Sequence, residues 1–170
     1  MNWDALGAIG EIVGALGVMA TLAYLAVQVR QNTRAVRGAT LNAVTQGQVG
    51  ELRWSSDIST SMRRAIHEPG EMSEDDIHRV TEWMTAAFLA RQNEFSQFKQ
   101  GLLDRDKWEQ SEHIIRLLVG MEWVGQWWKS YGKHAFTGGF VACVEGIMAR
   151  ESYDVAGAMK ELEQWSKPHS

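Results

Sequence analysis

At 170 residues and 19.1 kDa, the chain has room for one modest domain and an appendage. Its net charge of −4 excludes the basic surplus on which nucleic-acid binding rests, so no nucleic-acid partner is expected. The single cysteine, Cys143 within FVACVEGIM, cannot close an intrachain disulfide and suits a reducing compartment.

The first element is the stretch GAIGEIVGALGVMATLAYLAVQVR. The chain as a whole has the mean hydropathy of a soluble protein, −0.27, yet residues 5–29 hold Glu11 and no other charge. From Ile12 to Val29 there are 18 residues without formal charge. As a helix they reach about 27 Å, close to the roughly 30 Å of a hydrocarbon layer. Nine Ile, Leu or Val residues lie between Ile9 and Val29. Each favours insertion by roughly 0.3 to 0.6 kcal/mol, which outweighs one carboxylate at the edge, where Glu11 reaches headgroups or water. A cleaved signal peptide would open with positive charge and have a shorter apolar core. The core helix of a soluble domain would keep a face of Lys and Glu. The pattern predicts a membrane-spanning helix over about residues 9–29, so a lipid bilayer is an expected partner.

Orientation follows from the flanks. Arg30, Arg34 and Arg37 crowd the C-terminal side, whereas Asp4 stands alone on the other. The positive-inside rule puts residues 30–170 in the cytoplasm and the short N-terminus outside, with Trp3 at the outer interface.

Gly7, Gly10, Gly14 and Gly17 are spaced three, four and three apart and form one stripe. The same spacing continues through Thr21, Tyr24, Gln28 and Gln31, while the opposite side is Ile, Leu and Val. Lipid tails give no reason to strip side chains from one face, but close helix–helix approach does. The expected partner is a second copy, giving a homo-oligomer, or another membrane protein. The alternative is a ring of copies forming a channel or transport accessory, with Thr21, Tyr24 and Gln28 lining water. Glu11, roughly a quarter-turn off the stripe, fits such a lining badly.

The helix is expected to run on to about Gln46, where Gly47 and Gly50 weaken it. From Arg30 to Arg64 six arginines oppose Glu51 and Asp57, and HEPGEMSEDD then marks a connection. Ser73 with Asp76 three residues on predicts a capped helix start. Ile77, Val80, Met84, Phe88, Arg91, Phe95 and Phe98 fall near one face of that helix, and Gly101 ends it. Asp104 is expected to cap the next helix, which carries Trp108, Ile115 and Leu118. MEWVGQWWKSYG reads as a short aromatic helix, GGFVACVEGIMA as a buried one and SYDVAGAMKELEQW as a last amphipathic one. Trp123, Trp127, Trp128 and Tyr131 fit a small core, with Trp N–H groups reaching its rim.

Chemical motifs are sparse. Asp75 with His78 and Glu109 with His113 are helically spaced, but the carboxylate and histidine pairs of a di-iron bundle, HExxH and cysteine pairs are absent. WKSYGKHAFTGG lacks the spacing of a phosphate-cradling loop. No metal, cofactor or catalytic residue is assigned. Arg91, Asn93 and Glu94 interrupt an apolar helix and are expected to form a buried polar cluster, where any buried charge needs a partner. An inter-helix ion pair is the simpler expectation; an enzyme using Arg91, Glu94 and His113 is the weakest of the three readings.

The segments GAIGEIVGALGVMATLAYLAVQVRQNTRA, NEFSQFKQGLLDRDKW and GQWWKSY together resemble a widespread family of bacterial single-pass membrane proteins with a GxIGEIVGA-type hydrophobic N-terminus. The resemblance spans residues 5 to about 145. It implies a bacterial inner-membrane location with a helical cytoplasmic part, and it brings no catalytic residue. The expected fold is therefore all-α, in three parts. Residues 1–50 form a transmembrane helix with a juxtamembrane extension, 51–150 a cytoplasmic helical domain, and 151–170 a C-terminal helix and polar tail.

Overall fold

The computed structural model describes residues 2–150 and Gly157. It is all-helical, and no strand occurs among the described residues. Within residues 2–150 six α-helices follow in order: α1 (Trp3–Asp57), α2 (Ser59–His67), α3 (Glu74–Lys99), α4 (Arg105–Gly120), α5 (Glu122–Ser130) and α6 (Gly138–Met148). The last expected helix, residues 152–165, lies outside the described residues except for Gly157, which is helical. The chain divides into two compact units, Met1–Thr40 and Leu41–Ser170.

From Trp3 on, the first unit is helix throughout. It holds the one helix among the described residues long and apolar enough to cross a membrane, and none of its most apolar 18-residue window is buried. Leu16 and Leu22 are each 60% exposed.

The second unit is a small bundle built on α3, which packs against α2 and α4; α4 in turn packs on α5 and α6. Val80, Met84, Ala87 and Phe88 of α3 meet Ile115 and Leu118 of α4, Trp127 and Trp128 of α5, and Phe140 and Val144 of α6 in one core. Phe88 is fully buried, stacked 4.9 Å from Trp128 and tilted 5.5 Å from Trp127. Phe95 and Phe98 close on Trp108 at 5.4 and 5.8 Å. Gly132 is the glycine this core demands, since a Cβ there would stand 2.6 Å from the Trp127 ring.

The start of α3 is built as expected. Ser73 Oγ accepts from the Asp76 N–H, and the Asp76 carboxylate accepts from the Ser73 N–H, a reciprocal cap. The same carboxylate accepts from Ser61 Oγ at 2.7 Å and Arg64 Nη1 at 2.8 Å, tying α2 to α3. These donors, Ser61 foremost and then Ser73 and Arg64, hold Asp76 well below the usual carboxylate range.

Four expectations are corrected. First, α1 does not stop near Gln46 but continues to Asp57. Each glycine costs about 1 kcal/mol in a helix. The contacts of Gln48 and Glu51 within the bundle, and the burial of Val44, offset Gly47 and Gly50. Second, Ile77 is 45% exposed, because in this first turn Asp76 is the residue turned toward α2. Third, Asp104 occupies the N-cap position of α4 with extended backbone, but its side chain makes no capping bond. Fourth, the Nε1 atoms of Trp127 and Trp128 are buried without a hydrogen-bond partner rather than reaching a rim, as is that of Trp83 on α3. Ring packing overrides an unmade bond worth about 1–3 kcal/mol. Tyr131, by contrast, is 66% exposed.

Candidate functional site

Two features of the chain carry polar or geometric information beyond packing, one in each unit. In the first unit, Gly7, Gly10, Gly14 and Gly17 stand in open space: a Cβ at any of them would meet nothing within 4 Å. None has a positive φ; among the described residues only Gly101 does. In a helix of ordinary φ, glycine is roughly 0.5–1 kcal/mol worse than alanine per position. Neither intrachain contact nor backbone geometry calls for four of them.

The polar residues that extend the stripe bond inside the helix. Thr21 Oγ1 donates to the Gly17 carbonyl at 2.8 Å, and Gln28 Nε2 donates to the Tyr24 hydroxyl at 2.9 Å. Each of these bonds turns one side-chain donor back onto its own helix. Gln31 is exposed with them. Trp3 is 70% exposed. Glu11, Arg30, Arg34 and Arg37 are all exposed, and none forms an ion pair among the described residues.

In the second unit, Arg91 and Glu94 are 1% and 2% exposed, deep in the bundle. Arg91 Nη2 donates to both oxygens of Glu51, at 2.8 and 2.7 Å. Its Nε lies 3.3 Å from Glu94 Oε2 without the alignment of a hydrogen bond, and Nη1 has no partner. Ser111 Oγ donates to Glu94 Oε2 in a short bond, and Gln48 Nε2 donates to Glu94 Oε1 at 3.3 Å. Lys107 Nζ reaches Gln48 Oε1 at 3.1 Å. Each of three helices thus contributes two polar residues one turn apart: Gln48 and Glu51 on α1, Arg91 and Glu94 on α3, Lys107 and Ser111 on α4.

One guanidinium between two carboxylates leaves an excess of one negative charge, which Lys107 balances through the Gln48 amide. Burial raises the Glu51 pKa; the Arg91 charge and hydrogen bond oppose that rise, and the Glu94 charge adds to it. The carboxylates of the cluster are spent on Arg91, Ser111 and Gln48, which suits an inter-helix lock better than a reaction centre.

The expected cluster is thus partly right. Arg91 and Glu94 are in it, but Asn93 is exposed, because the position between two inward residues one turn apart points away from them. Gln48, Glu51, Lys107 and Ser111 were missed. A signal existed for α1: Val44, Gln48, Glu51, Ser55 and Ile58 recur at alternating four- and three-residue spacing, and all are buried or half-buried.

The remaining candidates are scattered. Asp75 pairs with Arg79 at 2.7 Å, His78 with Glu82 at 3.2 Å and Glu109 with Arg105 at 2.8 Å, all on helix surfaces. His113 is exposed, away from the buried Arg91 and Glu94. No group of three or more His, Cys, Asp or Glu side chains that could hold a metal ion occurs among the described residues. Cys143 is half-buried, and burial, followed by the Glu112 charge, pushes its thiol above 9.0. It stays protonated at neutral pH. The chain matches no protein-family model, no curated protein and no solved structure.

Proposed function

We propose that this is a single-pass protein of the bacterial inner membrane that assembles through the glycine-striped face of α1 and carries a helical bundle on the cytoplasmic side. In that reading it acts as a homo-oligomer or as a small structural subunit of a membrane complex, and the family resemblance noted above supports the same location.

The observation that supports it most is the open space around Gly7, Gly10, Gly14 and Gly17. Four helix-weakening residues in register, with nothing of their own chain against them, fit a second helix in close approach. The unburied apolar window of α1 supports the bilayer as its surroundings. Conduction along the same face is the weaker alternative, because Thr21 spends its one donor, and Gln28 one of its two, within the helix.

The test is cross-linking of the full chain in bilayers, comparing the natural protein with the double variant Gly10→Leu, Gly14→Leu. Bulk on the stripe is expected to lower the yield of cross-linked species without releasing the chain from the membrane. An unchanged yield would remove the assembly reading.

A further inference from the structure

Helices α4, α5 and α6 line a cavity of about 190 Å³ in the second unit. Arg116 and Val119 come from the C-terminal half of α4, Lys129 from α5, Ile147 and Met148 from the end of α6, and Arg150 from just beyond it. Three cations therefore ring an apolar floor, and among the described residues no carboxylate lines it. None of the three forms an ion pair among the described residues. The Arg116 Nε is buried and has no hydrogen-bond partner.

Cations are commonly placed at helix C-termini for the dipole alone, and α4, α5 and α6 all end here. The magnitudes do not balance. Three C-termini supply about one and a half negative charges in all, half a charge each. Against three full positive charges this leaves an excess of about one and a half. A carboxylate would neutralise only part of that, whereas a phosphate monoester carries about −1.5 to −2 at neutral pH. An arginine fork also matches phosphate oxygens in pairs.

We infer that this cavity is a binding site for the phosphate group of a small phosphate monoester, whose short carbon portion lies on Val119, Ile147 and Met148. The volume falls below the roughly 300 Å³ at which ligand pockets of drug size begin, so a phosphate with a few carbons fits and a nucleotide does not. The same chemistry is offered by a soluble metabolite and by the headgroup of phosphatidic acid. The site stands independently of how α1 assembles.

The test uses the full chain in detergent, titrated with glycerol phosphate at ionic strength held constant with sodium chloride and followed by calorimetry. Saturable single-site binding is expected. Arg116→Gln should weaken it by about tenfold or more, as loss of a charged hydrogen bond does. The double variant Lys129→Gln, Arg150→Gln alters exposed residues only and should do the same, which keeps the test decisive if Arg116→Gln fails to fold. Arg79→Gln and Arg105→Gln, whose guanidinium groups pair with carboxylates elsewhere, should leave binding unchanged.

Absence of saturable binding would overturn the site, as would equal weakening by Arg79→Gln. Repeating the titration in lipid discs separates the two sources. If phosphatidic acid in the disc abolishes glycerol phosphate binding, the headgroup is the ligand. If binding persists, the ligand is soluble.

Discussion

A single nitrogen of Arg91, Nη2, contacts both carboxylate oxygens of Glu51, at 2.8 and 2.7 Å, and so joins α3 to α1 across 40 positions of sequence. Glu94, one turn from Arg91 on the same helix, is held by Ser111 and Gln48 from the two flanking helices. The three charges are mutually dependent, because Arg91 and Glu94 are too deeply buried to fall back on water and Glu51 is half-buried.

Arg91→Met should therefore be among the most damaging substitutions in the bundle, costing on the order of 3–5 kcal/mol, since it strands two carboxylates with one distant ammonium. Glu51→Gln should cost clearly less, because Glu94 remains beside the guanidinium. Chemical denaturation of the two variants in detergent, followed by far-ultraviolet circular dichroism, makes the comparison. Equal losses would mean that Glu94 contributes nothing to holding Arg91.

The pH dependence has two limbs of opposite sign. The Glu51 carboxyl titrates above its ordinary 4.5 in the folded chain. Its ionisation opposes folding, fully above the folded pKa and less as pH falls through that value toward 4.5. Asp76 titrates below its ordinary 3.8, so its contribution is present above 3.8 and lost as pH falls below it. Thermal stability should change little or rise on moderate acidification, then fall in strong acid. Glu51→Gln should flatten the first limb and Asp76→Asn the second, both read from melting temperature against pH.

Two glycine-to-alanine changes should have opposite effects. At Gly132 the new methyl would enter the Trp127 ring at 2.6 Å, an overpacking that costs about 1–3 kcal/mol. At Gly38 it meets nothing within 4 Å on an exposed helix, where alanine should stabilise by about 0.5–1 kcal/mol. Melting curves of the two variants check both signs.

The orientation proposed for α1 rests on Arg30, Arg34 and Arg37. Replacing all three with Glu should yield a mixed population, scored by an impermeant thiol reagent on Asn2→Cys in a Cys143→Ser background. In the natural charge setting that cysteine should be labelled in intact spheroplasts. Labelling that needs permeabilised cells would reverse the topology.

Much of this architecture was legible because it is local. The Ser73–Asp76 cap, the breaks near Gly101 and Gly120, and the apolar period of α3 are each set by residues within a turn or two of one another. Arg91 and Glu94 were legible as a problem, two charges on an apolar face. Their solution was not, since Glu51 and Ser111 lie on other helices and pairing over such distances leaves no mark on neighbouring residues. The over-short reading of α1 has the same origin. Gly47 and Gly50 are counted as breakers by propensity, while the contacts that hold the helix together there come from α3 and α4. The cleft around Arg116 was invisible for a further reason, as its cations come from three elements and share no spacing.

Between Leu41 and Asp57, α1 offers the bundle one buried apolar side chain, Val44, and that lies outside the main core. The remainder of this seam is amide, carboxylate and guanidinium. Once the helix is drawn aside, water reaches and hydrates such groups, whereas it gives nothing back to an uncovered Phe. Tension along this helix would therefore meet a joint that parts by hydration, leaving the aromatic interior shut, so the bundle could be tugged loose and reseated without ever becoming sticky.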